Sequence, residues 1–165
     1  MITTQHLLTE FDRIIRATEV LFGLVPEDKI EWAPVDGMFT AGQQMLHIAG
    51  TLKVYSDACV SGEWPIMSID EILKRNHETP SATSALALRL LRRTVGDFKK
   101  MVSGFSEAEL DGEVFSPQFG RKVPRRTLIL LCIEHHLSHK AELFMYLRLL
   151  GVPVGSKELY FGQER

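Results

Sequence analysis

Residues 125–150 read RRTLILLCIEHHLSHKAELFMYLRLL, preceded by Pro124 and followed by Gly151 and Pro153. A run of that length with no internal glycine or proline, closed by a Gly-x-Pro stop, predicts one long helix from Arg125 to Leu150. From Leu128 to Ile133 it is apolar nearly all round, which predicts a central place in a helical bundle.

Upstream, three more segments repeat apolar residues at three-four spacing. The first, Thr4 to Leu24, lines up Leu7, Leu8, Phe11, Ile14, Ile15 and Leu21, and Gly23 and Pro26 close it. The second, Thr40 to Ser61, follows a Trp32–Gly37 loop and stops at Gly62, Trp64 and Pro65. The third, Ser81 to Gly104, opens with Thr79-Pro80-Ser81 as its expected cap, and its stripe grows bulkier from Thr83 and Ala87 to Phe98 and Met101. Rods of roughly 30–39 Å at 1.5 Å rise per residue can bury such stripes only against each other. The expectation is an all-α, antiparallel four-helix bundle spanning residues 1–165 as one domain. Connections of about fifteen to twenty residues are long for a simple up-and-down bundle and leave room for crossovers. Within the last connection, Asp111–Pro124, the runs Val114-Phe115 and Arg121–Val123 suggest a small hairpin. Arg75-Asn76-His77-Glu78 reads as polar loop.

The chain as a whole excludes several classes of function. With 19 Lys+Arg against 21 Asp+Glu, its net charge is −2, so it lacks the positive field that a nucleic-acid backbone demands. Cys59 and Cys132 stand far apart with no CxxC pair, which excludes a zinc ribbon and predicts buried, reduced thiols. No apolar run approaches the ~20 residues of a membrane span, and the opening MITTQHLLTEF is polar where a secretory leader has its apolar core. A cytoplasmic protein without membrane contact is expected.

Of the six histidines, His135 and His139 stand at i, i+4 on the last helix, where two imidazoles can close on one metal ion. One helical face cannot surround an ion, so a third ligand must come from elsewhere. His47, mid-helix in Gln44-Met45-Leu46-His47-Ile48-Ala49, is the natural candidate, although a hydrogen-bonded core histidine would look the same. His136 is an i, i+3 neighbour of His139, while His6 and His77 read as solvated. The protease motif H-E-x-x-H fails because residue 136 is His, and no histidine has Glu three residues before it as a di-iron bundle needs. What is left is a mononuclear three-histidine site.

The chain here resembles the DinB family of metal-binding bundles, also called YfiT-like. The likeness is carried by Trp32-x-Pro34, by His47 between Leu46 and Ile48, by Glu134-His135-His136-Leu137-Ser138-His139-Lys140, and by Tyr146-Leu147-Arg148-Leu149-Leu150-Gly151. The resemblance implies a bundle with long crossovers and a divalent ion held by His47, His135 and His139 at one end, with His136 outside the ligand set. Relatives often follow the last ligand with Arg/Lys-Gly-Gln; this chain has Lys140-Ala141-Glu142, a carboxylate in place of the glutamine. Some relatives look like S-transferases or isomerases that use low-molecular-weight thiols.

Three neutral imidazoles leave an ion such as Zn²⁺, Ni²⁺ or Fe²⁺ its full charge and an open position, where it can acidify a bound water or thiol. The expected function is therefore a metal-dependent enzyme of S-transferase or hydrolase type, acting on a small molecule, with a non-catalytic metal-binding stress or interaction protein as the alternative. Helical phase offers Glu142 as the catalytic or imidazole-orienting carboxylate, although a surface carboxylate or a salt bridge to a neighbouring helix would look the same, with Tyr146, Gln43, Thr51 and Tyr55 as further neighbours. The basic group Arg121, Lys122, Arg125 and Arg126 reads first as a solvated loop; a negative neighbour, either an anionic substrate carboxylate or acidic residues such as Asp111 and Glu113, is the alternative. Trp32 and Trp64 are expected to seal the bundle ends, and the apolar stripes to support a homodimer.

Overall fold

In the computed structural model, residues 4–64 and 69–163 are described. The main helices are α1 (Thr4–Gly23), α2 (Ala41–Ser61), α4 (Ser84–Gly104) and α6 (Arg125–Leu149); shorter ones are α3 (Ile69–Glu78) and α5 (Glu107–Leu110). β1 (Glu113–Ser116) and β2 (Arg121–Pro124) form the expected hairpin, with Val114 opposite Val123 and both buried. A π-helical turn, Lys157–Phe161, ends the fold.

The four long helices form an all-α bundle in which α2 packs on α4 and α6, and α1 packs on the same two. Antiparallel packing, as expected, joins α2 to α6 and α1 to α4. Thus His47 lies by His139 while the Cys59 carbonyl lies by Arg125, and Phe11 meets Phe98 while Glu19 meets Arg92. The pair α2–α4 runs parallel, since Gly42 lies against Ser81-Ala82 and Thr94 Oγ1 donates to the Ala49 carbonyl, and these three directions make α1 and α6 parallel too. Parallel neighbours need the chain to return to its starting end, and the long connection carrying α3 is that crossover.

Three sequence expectations change. Arg75–Glu78 is the end of helix α3 rather than a loop. The cap of α4 is Thr83, whose hydroxyl accepts from the Leu86 N–H, and not Ser81, which is hydrogen-bonded to Thr40 and Glu31. α6 occupies a corner of the bundle rather than its centre, touching α1 and α2 on one side and leaving Leu130 exposed on the other.

The core contains Phe11, Phe22, Phe98, Leu21, Leu52 and Leu128, all essentially without solvent contact. Cys59 and Cys132 are buried and unpaired in it as expected, and burial pushes the Cys59 thiol up to about 11. The start of α2 is held with particular care because it carries the candidate site. Thr40 and Gln43 form a reciprocal capping box, and the Ile30 and Trp32 carbonyls accept from the Gly42 and Ala41 N–H groups. Among the described residues, no helix is long and apolar enough to cross a membrane.

Candidate metal centre

Antiparallel packing of α2 on α6 brings His47 level with the turn of α6 that carries His135 and His139. The His47 Nε2 lies 3.3 Å from His135 Nε2 and 3.2 Å from His139 Nε2. The three residues are half-buried and form a group that could hold a metal ion. His136, one residue along, lies outside this group and turns toward α1. It is buried, with Nε2 2.9 Å from Thr18 Oγ1. Because that hydroxyl spends its proton on the Ile14 carbonyl, His136 must donate from Nε2.

Hydrogen bonding around His139 decides which of its nitrogens faces the cluster. Glu142 Oε2 lies 2.6 Å from His139 Nδ1 and can only accept, so Nδ1 carries the proton and Nε2 presents a lone pair. Gln44 Nε2 donates to the same Glu142 oxygen at 2.8 Å and to the His139 carbonyl at 3.1 Å. One buried amide from α2 thereby holds both the carboxylate and the backbone of α6 in place.

The nitrogens fit a cation better than they fit one another. With the His139 proton on Nδ1, one proton among the three Nε2 atoms must serve two acceptors, and lone pairs are otherwise left face to face. A divalent cation would take all three lone pairs. The separations of 3.3 and 3.2 Å also match the edge, about 3.3–3.4 Å, of a tetrahedron with Zn–N bonds of 2.0–2.1 Å. Burial, reinforced by the neighbouring imidazoles, pushes His47 down to about 3 and His135 down to about 4. Both are neutral near pH 7, the form in which imidazole ligates.

Aromatic rings wall the cluster. The Phe39 ring lies 5.2 Å from that of His47 and 4.7 Å from that of His77, which is exposed at the end of α3. Tyr55 lies 6.0 Å from the His135 ring and edge-on to Trp64 at 5.0 Å. Trp32 packs edge-on against Tyr146, whose hydroxyl donates to the Phe39 carbonyl. Both tryptophans therefore pack on tyrosines within the bundle.

Of the other neighbours chosen by helical phase, Gln43 is spent on the cap and on the carbonyls of His77 and Thr79, and Thr51 back-bonds to the His47 carbonyl. Gln44, which the sequence reading passed over, is the residue that reaches the site. Gln43 and Gln44 fall on either side of His47 in helical projection, so phase alone could not choose between them. Two members of the basic group, Arg125 and Arg126, find partners within the bundle, and Arg121 lies over the Phe119 ring. Arg126 pairs with Asp111 at 2.7 Å and Glu107 at 3.2 Å, and Arg125 donates to the Cys59 and Glu109 carbonyls beneath Phe105. Glu107, rather than Glu113, joins Asp111 as the acidic partner.

A helical bundle with a crossover and three convergent histidines defines the class of this protein. The family model of the DinB superfamily matches residues 10–143, and the chain belongs to that superfamily. It is 25% identical over 166 residues to the uncharacterized protein YjoA of Bacillus subtilis (strain 168), covering 100% of this chain and 99% of the relative. The crystal structure of that DinB-like protein superimposes with a TM-score of 0.69 at 22% identity, over 96% of this chain and 98% of the other. A DinB-like protein from Bacillus cereus ATCC 10987 superimposes with a TM-score of 0.72 at 16% identity, over 92% and 96%.

Proposed function

We propose that His47, His135 and His139 hold one divalent cation, Zn²⁺ or Ni²⁺ in preference to Fe²⁺, and that this centre serves a metal-dependent enzyme of S-transferase or hydrolase type acting on a small molecule. The observation that carries the reading is the meeting of three imidazole nitrogens, 3.2–3.3 Å apart along the two measured edges, from two helices. A cation held by three neutral ligands would keep its full charge and acidify a thiol or water at its remaining position.

The chain's own residues prepare that chemistry. His47 and His135 offer lone pairs without first losing protons at neutral pH. Glu142 fixes the tautomer of His139, raises its basicity as a ligand and is itself aimed by Gln44. Phe39 and the Tyr55–Trp64 pair border the cluster with apolar surface, which strengthens electrostatic interactions inside it.

Elemental analysis of the purified protein, followed by a conjugation screen with low-molecular-weight thiols and an ester hydrolysis screen, tests the proposal. Metal in about one equivalent and turnover abolished by a chelator support it. Bound metal with no turnover in either screen would favour the non-catalytic metal-binding alternative, and absence of metal after reconstitution would end both.

A further inference from the structure

Two tyrosines flank the histidine cluster in matching settings, and they differ in one bond. Tyr146 and Tyr55 are each 3% exposed, and each stands edge-on to a tryptophan, Trp32 at 5.7 Å and Trp64 at 5.0 Å. Tyr146 donates its hydroxyl proton to the Phe39 carbonyl at 3.1 Å, which ties α6 to the loop before α2. Among the described residues, the Tyr55 hydroxyl has no hydrogen-bond partner. A phenol so deep in a fold ordinarily finds an acceptor, and one that does not calls for an explanation.

Its position supplies one. Tyr55 follows His47 on α2 by two turns, and the antiparallel fit of α2 on α6 sets its ring 6.0 Å from that of His135. Trp64 covers the ring, while the hydroxyl oxygen is not sealed from solvent, so a small molecule entering beside the histidines can reach it. Neighbouring protic side chains have committed their hydrogen bonds elsewhere. Thr51 donates to the His47 carbonyl, Gln43 to the His77 and Thr79 carbonyls, and Gln44 to Glu142 and the His139 carbonyl. A phenol, with its ordinary pKa of about 10, is a neutral donor at pH 7. Such a donor suits an oxygen on which negative charge builds during reaction.

We infer that Tyr55 is a substrate-binding residue that donates from its hydroxyl to the oxygen of a small carbonyl compound held beside the cation. The inference rests on the metal reading and narrows it to substrates of ester, amide or ketone class. Tyr146 keeps the bundle end together, and Tyr55 serves the bound molecule.

Stripped full-length protein reloaded with Co²⁺ lets ligand binding be followed through the visible bands. Acetohydroxamate presents a carbonyl-type oxygen, whereas bound imidazole turns only N–H and C–H groups outward and offers no acceptor. Tyr55→Phe keeps the ring and removes the donor. It should leave the Kd values of Co²⁺ and imidazole within about twofold and weaken acetohydroxamate about tenfold, as loss of a hydrogen bond to a charged ligand does. In the metal-free protein Tyr55→Phe should keep Tm, because no bond within the chain is lost, while Tyr146→Phe should lower it by about 1–6 °C. Equal weakening of both probes would mark a packing effect, and unchanged acetohydroxamate binding would mean that water alone meets the hydroxyl. Either result overturns the inference, as does a lowered Tm for Tyr55→Phe, and each leaves the metal reading standing. A wild type that binds no Co²⁺ would overturn both.

Discussion

Replacing Glu142 with alanine isolates the part of the centre that the chain builds around its ligands. The substitution removes the acceptor 2.6 Å from His139 Nδ1 and one of the two acceptors of the Gln44 amide, while the three Nε2 atoms keep their owners. Loss of an orienting partner of this kind costs about 10- to 100-fold in metal affinity, or about 1.4–2.7 kcal/mol. The Glu142 side chain is 48% exposed, so solvent screens part of its effect and the expected loss lies near the lower end, about tenfold. A competition titration of Zn²⁺ against a chromophoric chelator at pH 7.4, with wild-type and Glu142→Ala protein stripped beforehand, measures it. Glu142→Gln keeps an acceptor oxygen but not the charge, and should fall between the two. Affinity of Glu142→Ala within twofold of wild type would refute the claim that the carboxylate organises the site.

Further outcomes concern the frame. A Cβ at Gly42 would stand 2.7 Å from the Ser81 Cβ and 2.8 Å from the Ala82 backbone, so Gly42→Ala should cost about 1–3 kcal/mol and lower Tm by about 2–12 °C in differential scanning calorimetry; an unchanged Tm would contradict that close packing of α2. Gly162 combines φ +60° with a Cβ position 2.8 Å from the Arg16 carbonyl carbon, and Gly162→Ala should loosen the C-terminal turn and speed its proteolysis with little effect on the bundle core. The metal-free protein should lose stability on acidification. Folded-state values for His47 and His136 near 3 and His135 near 4 lie below the unfolded 6.5, so the unfolded chain takes up protons first. That contribution is fully present above about pH 6.5 and is lost as pH falls toward 4 and 3; Tm of the stripped protein should decline through that window, and a flat profile would show that the imidazoles are not buried as described.

The helices were legible because their ends are written in residues with one backbone meaning: Gly23 and Pro26, Gly62, Gly151 and Pro153. Their relative directions were not, because periodicity names a face but carries no arrow. Only contacts such as Thr94 with the Ala49 carbonyl show α2 and α4 running the same way. Helix α3 escaped notice because IDEILKRNHE has three large apolar residues in ten, too short a stripe to outweigh its charge. The i, i+4 pair His135/His139 could be read from spacing alone. His47 needed the antiparallel fit of α2 on α6, or the family resemblance, to join them. Gln44 needed side-chain coordinates, since its neighbour Gln43 has an equal claim by phase.

If three imidazoles share one cation, titration of the stripped protein with Co²⁺ will show it. Visible d–d bands of low coordination number should saturate at about one equivalent and be lost in each of His47→Ala, His135→Ala and His139→Ala, with His136→Ala retaining them. A wild type that gives no such bands, or a His47→Ala variant that binds Co²⁺ as the wild type does, would contradict it.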